Sequence, residues 1–300
     1  MLVTSPQVAA AVTAFTASPP DDGSIAQAAQ ELSAILTSQD HREHAYEALA
    51  LVCTLLSDAS PFAHKAAEAV YQCLLSTHTS VFATTKINGA RLSGADLTGF
   101  PLRKAFLRGA DMVGAHLDQC DLSEAELSGA NLTNVIAGHT TSFSRVKALG
   151  ARFTTAALRE TNFDEANLRG ADFTAADMWK ATMASSTARG ANFTDAELGK
   201  AFLYCGDWRG ANFAGAMLDG ATLRGKDDKM VDLRGANLTG AFLGGSTLEW
   251  VDLRGANLTS TLFNAAELMH VNIEGAITED MRMIGTQAYS VQGLPEQVRL

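Results

Sequence analysis

From about residue 90 onward a large apolar side chain recurs at every fifth position. Leu92, Leu97, Leu102, Leu107 and Met112 open the series, which continues to Leu132. After a disturbed stretch it resumes one residue out of phase at Phe153 and runs to Ile273. In that second run 23 of 25 central positions are large and apolar, with Ala188 and Asp228 as the exceptions, so chance is not the cause. A period of five fits neither a helix at 3.6 nor a plain strand at 2. It calls for a short extended piece and a turn in every unit.

Units such as Ala166-Asn167-Leu168-Arg169-Gly170 and Ala236-Asn237-Leu238-Thr239-Gly240 give each position a role. The central Leu or Phe points inward. The Ala two before it has the same parity, so it also points inward and must be small. The Asn or Asp between them faces out and can bond turn amides. The final Gly tolerates the positive φ of a type II turn. One such unit cannot bury a core, so the units must stack.

These residues resemble the pentapeptide-repeat family. The resemblance covers about residues 88–275 and implies a β-solenoid, a right-handed quadrilateral parallel β-helix with four units per 20-residue coil. Residues 90–275 then make about nine coils and a rod roughly 45 Å long at one strand spacing per coil. Phe153, Phe173, Phe193 and Phe213 are spaced by twenty, which predicts an aromatic column about 4.8 Å apart. Ala188, Trp208 and Asp228 share the same spacing, which gathers the irregular slots on one face. Trp208 is oversized for its slot, with Ala188 and Gly206 supplying room.

The flanks read as covers for the open coil edges. Residues 1–24 read as a flexible segment. Residues 25–85 read as a small α-helical cap domain, with helices over 25–38, 43–57 and 61–77. Tyr46, Leu49, Val52 and Leu56 share one helical face, and Phe62, Ala66, Val70 and Cys73 another. Ser60-Pro61 is a helix start. The last two helices also resemble one HEAT-like pair, but a single pair has no period to test. Val135–Leu149 breaks the phase and reads as a bulge or excursion loop, and Phe100-Pro101 disturbs the first run. Thr278-Glu279-Asp280 reads as a helix start in a C-terminal cap and tail over 276–300.

Composition narrows the function. The 300 residues carry a formal net charge of −10, which disfavours direct nucleic-acid binding. Eight acids and two bases fall in residues 1–80, so the repeat region is close to balanced. No run of about 18 apolar residues marks a membrane span, and the start lacks the basic stretch of a secretory signal. Four scattered cysteines without a CxxC pair point to free thiols in a reducing, cytoplasmic setting. No catalytic, cofactor or metal signature appears. His41 and His44 are three apart beside Glu43 and Glu47, and read as a solvated helix start rather than a metal site.

Three candidate surfaces remain. Register on both sides places Lys226 and Asp228 of Lys226-Asp227-Asp228-Lys229 at inward positions, where unpaired charges cost several kcal/mol. Either they pair internally, with the Trp208 indole donating to Asp228, or the segment bulges outward as a charged knuckle. Arg169, Arg189, Arg209 and Lys229 are spaced by twenty and form a basic ladder, with Arg234 and Arg254 continuing it on the adjacent face. Neighbouring acids (Asp207, Asp227, Asp232) or an anionic partner would screen it. Phe202, Phe242 and Leu262, with Tyr204 nearby, form an apolar patch suited to a homodimer contact or to docking of a terminal segment.

The leading functional reading is a non-enzymatic scaffold for protein–protein interaction, with its protein partner unidentified. The family resemblance implies a second, a DNA mimic that binds gyrase and topoisomerase IV and protects them from inhibitors. The near-neutral rod counts against it, while a protruding Val135–Leu149 loop would favour it. A third is a secreted bacterial effector, since the uncharged Ser/Thr-rich first twenty residues suit a secretion signal.

Overall fold

The computed structural model describes Gln30 and residues 88–100, 102–138, 140–226 and 228–295. The flexible segment expected at 1–24, the helical domain expected at 25–85 (Gln30 apart), Pro101 and Asp227 lie outside the described residues.

The period of five becomes a β-solenoid. Every fifth residue makes a parallel bridge to the next coil, and the chain returns to register after twenty residues, as in Asn162↔Thr182, Asn167↔Thr187, Asp172↔Asn192 and Asp177↔Glu197. Those four bridges belong to four separate ladders, one per side. Most are single bridges. Among the described residues five segments qualify as strands: β1 (Thr222–Arg224), β2 (Val231–Asp232), β3 (Thr247–Asp252), β4 (Glu267–Asn272) and β5 (Gln287–Tyr289), all parallel.

Turns cut the strands short. In the regular units the last residue is left-handed even where it is not glycine, as at Glu124 (φ 62) and Lys180 (φ 56). That conformation is disfavoured for L residues. Bonds to the next coil hold it, such as Glu124 N–H to the Ser144 carbonyl at 2.8 Å.

The core is a narrow shaft of central Leu, Met and Phe side chains with alanines between them, nearly all at 0–4% exposure. The expected phenylalanine column is present. Phe153–Phe173, Phe173–Phe193 and Phe193–Phe213 stack at 4.7, 4.9 and 4.9 Å with rings within 6° of parallel. Phe143 and Phe163 make a second stack at 4.7 Å and meet Phe153 edge-on. Outside the phenylalanine column, Asn192, Asn212 and Asn237 form an amide ladder. Each also accepts from the backbone two residues on, the role the turn reading gave them.

Two expectations need correction. Val135–Leu149 holds the bulge, one residue wide, and not the excursion loop. Val135, Phe143, Val146 and Ala148 are buried in the core, and the bridge spacing merely lengthens from 20 to 21 in Asp121↔Ser142 and Glu126↔Lys147. One extra residue is absorbed between Ala137 and Thr141, where Thr141 N–H bonds the Gly138 carbonyl at 2.9 Å and the Thr141 hydroxyl bonds the Leu117 carbonyl at 2.8 Å. The helix start expected at Thr278–Asp280 is likewise a turn of the solenoid. Met281 and Met283 point into the core, and the ladder continues through Asn272↔Gln292.

Candidate functional site

The ladder spacing changes once more, to 25 residues, in Asp207↔Asp232, Asn212↔Asn237 and Met217↔Phe242. The five extra residues are Lys226–Met230. They leave the coil as a tight antiparallel hairpin, with Lys226 N–H bonding the Lys229 carbonyl at 2.9 Å and Lys229 N–H bonding the Lys226 carbonyl at 3.1 Å. Lys226, Asp228 and Lys229 are exposed. Asp228 and Lys226 therefore occupy no inward slots, and the outward knuckle is the alternative the structure adopts. The hairpin starts from Gly225, where an added Cβ would lie 2.8 Å from both Met230 Cα and Val231 N. Only glycine lets the chain leave and return through so tight a neck. The Lys229 ammonium reaches back to the Ser185 hydroxyl at 3.3 Å.

Because five residues are one whole unit, every column beyond the hairpin is displaced by one face from a count in twenties. Leu233, not Asp228, follows Trp208, whose amide bonds the Asp232 carbonyl at 2.7 Å. Trp208 is fully buried. A Cβ on Gly206 would overlap its indole nitrogen, so Gly206 supplies the room expected of it. The indole N–H does not donate to Asp228 and has no partner among the described residues. That orphan donor costs about 1–3 kcal/mol, set against burial of a large aromatic surface.

The arginine column is corrected in the same way. Lys229 is in the hairpin, and Arg234 and Arg254 lie on the same face as Arg169, Arg189 and Arg209. The Gly170, Gly190, Gly210 and Gly235 amides bond the carbonyls of Arg189, Arg209, Arg234 and Arg254 in turn. Aspartates interleave with the guanidinium groups. Asp207 pairs Arg189 (2.5 Å) and Arg209 (2.8 Å). Asp232 pairs Arg209 (3.3 Å) and Arg234 (2.7 Å). Asp252 pairs Arg234 (3.6 Å) and Arg254 (2.6 Å). Bonding to Asp232 raises the Arg234 pKa, and bonding to Asp252 raises that of Arg254. Neighbouring acids thus screen the ladder from Arg189 to Arg254, Arg169 makes no ion pair with another described residue, and Asp252 is a member the sequence reading missed.

Hairpin and zipper together frame two grooves. One, of about 280 Å3, lies between Cys205, Asp207 and Asp232 on the coil and Lys229 and Met230 on the hairpin. The other, of about 320 Å3, lies beyond Met230 among Trp250, Asp252, Arg254 and His270. Trp250 and His270 stack at 4.0 Å. This corner offers paired guanidinium groups, carboxylates, an aromatic platform and a lysine-bearing knuckle. It suits recognition of a polar surface. Among the described residues no cluster of His, Cys, Asp or Glu is placed to hold a metal.

The expected apolar patch is split. Phe202 bridges Thr182 and Thr222 on one face, with Tyr204 at 5.8 Å. Phe242 and Leu262 lie on another, joined by Met217, which the count in twenties missed. A single allowance for one inserted unit would have joined Met217 to Phe242, and a plain count of twenty from Asp232 reaches Asp252.

A family model described as pentapeptide repeats matches eight copies across residues 102–136, 141–174, 151–187, 191–225, 232–268 and 246–277, more than half of the chain. Similar solved structures include HetL, a pentapeptide repeat protein involved in heterocyst differentiation regulation from the cyanobacterium Nostoc sp. strain PCC 7120. It has 22% identity, a TM-score of 0.38, and coverage of 70% of this chain and 91% of that one. QnrB1, a plasmid-mediated fluoroquinolone resistance protein, has 20% identity, a TM-score of 0.30, and coverage of 67% and 86%. A pentapeptide repeat protein of the Arabidopsis thaliana thylakoid lumen has 29% identity, a TM-score of 0.17, and coverage of 37% and 66%. None of the curated proteins matches the sequence.

Proposed function

The chain belongs to the pentapeptide-repeat family, and from that premise we propose that it is a non-enzymatic cytoplasmic scaffold whose partner protein docks on the corner built by the Lys226–Met230 hairpin and the arginine–aspartate zipper. The observation that carries this reading is the everted unit. Five residues leave the ladder at a neck that admits only glycine, and they expose two lysines and Asp228. A solenoid gains nothing in its core from such a unit, and bulges of this kind commonly serve a site. The zipper beside it supplies fixed, mutually paired charges, which favour specificity over raw affinity.

The test is affinity capture with the intact protein and with a variant lacking Lys226–Met230, compared by quantitative mass spectrometry. A specific partner retained by the first and depleted at least tenfold on the second supports the reading. A partner retained equally by both places recognition elsewhere and overturns it. The topoisomerase alternative has its own assay, gyrase supercoiling with and without a fluoroquinolone. The scaffold reading expects no inhibition or protection near stoichiometric protein. The effector alternative is tested by secretion of a fusion to residues 1–30.

A further inference from the structure

The face that carries Met217 and Phe242 holds five successive outward residues in one ladder: Glu197, Met217, Phe242, Leu262 and Arg282. The three middle members are apolar, with Met217 50% and Phe242 40% exposed. Glu197 and Arg282 are exposed and neither makes an ion pair with another described residue. The order is acid, apolar, apolar, apolar, base. Such a column is complementary to its own reverse. We propose that this face is the interface of an antiparallel homodimer, with a two-fold axis passing at Phe242.

The geometry follows from the axis. Two copies laid face to face and reversed bring Phe242 against the second copy's Phe242. Met217 meets Leu262, and Glu197 meets Arg282, twice over. Each residue in a two-fold interface must find its counterpart on the same patch, and this column meets that demand at every position. The neighbouring column on the same face obeys it too. It runs Gly199, Asp219, Gly244, Asn264 and Ile284. Gly244 falls on the axis, Asp219 meets Asn264, and Ile284, 67% exposed, meets Gly199. Trp179 lies over Gly199, its Cδ1 3.1 Å from where a Cβ would stand, with the Lys180 and Arg159 cations 4.2 and 4.7 Å from its ring centre, so Ile284 meets Gly199 beside an indole that cations already cap. The two corners of the axial coil, Gly240 and Gly245, flank Phe242 and Gly244 and present no side chain to hold the copies apart. The one like-charge approach, Asp195 to Asp280, falls at the solvated rim. An unrelated partner would have no reason to meet a column that reads as its own complement.

Four coil spacings separate Glu197 from Arg282, about 19 Å. The contact is therefore smaller than the roughly 800 Å2 per partner of a standard interface, and dissociation is expected on the order of micromolar. This inference goes beyond the scaffold reading and uses no hairpin residue, so either can fail alone.

The test is sedimentation equilibrium of the full chain from about 1 to 100 µM. The expected result is a concentration-dependent dimer. Phe242→Glu, at an exposed site, should abolish it with an unchanged melting curve. Glu197→Arg and Arg282→Glu should each weaken it about tenfold by placing like charges together. The double variant should return to within about threefold of the original, because the swapped charges again meet their opposites. A monomer at every concentration would overturn the proposal. So would a dimer indifferent to Phe242→Glu, or a double variant no better than its parents, since that outcome excludes the antiparallel register.

Discussion

Among the described residues the ladder is interrupted twice, by one residue between Ala137 and Thr141 and by five at Lys226–Met230, and the coil treats the two in opposite ways. The single residue cannot be expelled, because a one-residue slip would turn every later side chain inside out. It is absorbed within the wall, and the side chains on either side remain in the core. The five residues form one whole unit, so expelling them leaves inward and outward parity untouched. They leave through the Gly225 neck, and the core closes behind them with Leu233 after Trp208. A small insertion therefore stays structural, while a whole-unit insertion is free to acquire a role at the surface.

The comparison breaks most sharply if part of a unit is removed. Deleting all of Lys226–Met230 joins Gly225 to Val231, two residues that then occupy consecutive unit positions, and stability should change by no more than about 0.5 kcal/mol. Deleting only Lys226–Asp228 leaves two surplus residues that neither pair as a hairpin nor fit the wall. Bonds such as Gly225 N–H to the Glu249 carbonyl would be strained or lost. The shorter deletion should then cost about 2 kcal/mol or more, through buried backbone groups left unpaired. Urea unfolding of the two variants decides the point, and equal midpoints would refute the unit argument.

The same contrast explains what could be read from sequence. The one-residue slip altered the phase of the period, so the sequence located it as a bulge or an excursion loop within Val135–Leu149, and of the two the wall holds a bulge one residue wide. The five-residue insertion preserved the period and was invisible to it. Its composition alone gave it away, as charges in slots that should be apolar. The solenoid, the inward Leu and Phe positions and the stacked phenylalanines needed only local periodicity and were legible. Which residues share a face needs the cumulative count. That count was short by one unit after Gly225, which placed Lys229 in the arginine ladder and Phe202 beside Phe242.

A smaller effect should distinguish the coil that holds the single insertion. Glu126 and Lys147 bridge across it, 21 residues apart. The buried Glu126 carboxylate accepts from Lys147 at 2.6 Å and Arg108 at 3.0 Å. Burial by itself pushes the carboxyl up, but the Lys147 and Arg108 hydrogen bonds outweigh it and hold Glu126 below its ordinary value of 4.5. A lowered folded-state pKa contributes stability that is present above the unfolded value and disappears as pH falls through the folded one. Hydrogen exchange should therefore show amides near Phe143–Ala148 losing protection below about pH 4.5, before those near the hairpin. Glu126→Gln should remove that step, and an unchanged profile would show that the coil does not depend on the pair.

The smallest effect belongs to Asp228→Leu. Were Asp228 the inward residue that a count in twenties makes it, a leucine there would fill a regular slot. Stability would rise by about 1.5–3 kcal/mol from burial of the side chain. In the hairpin Asp228 faces solvent, so the substitution should shift stability by no more than about 0.5 kcal/mol in either direction. It does remove a negative charge from between Lys226 and Lys229 and places an apolar group at the tip of the knuckle. A thermal melt that barely moves, together with altered partner capture, would assign Asp228 to recognition alone. A melt raised by several degrees would return it to the core and take the surface role of the everted unit with it.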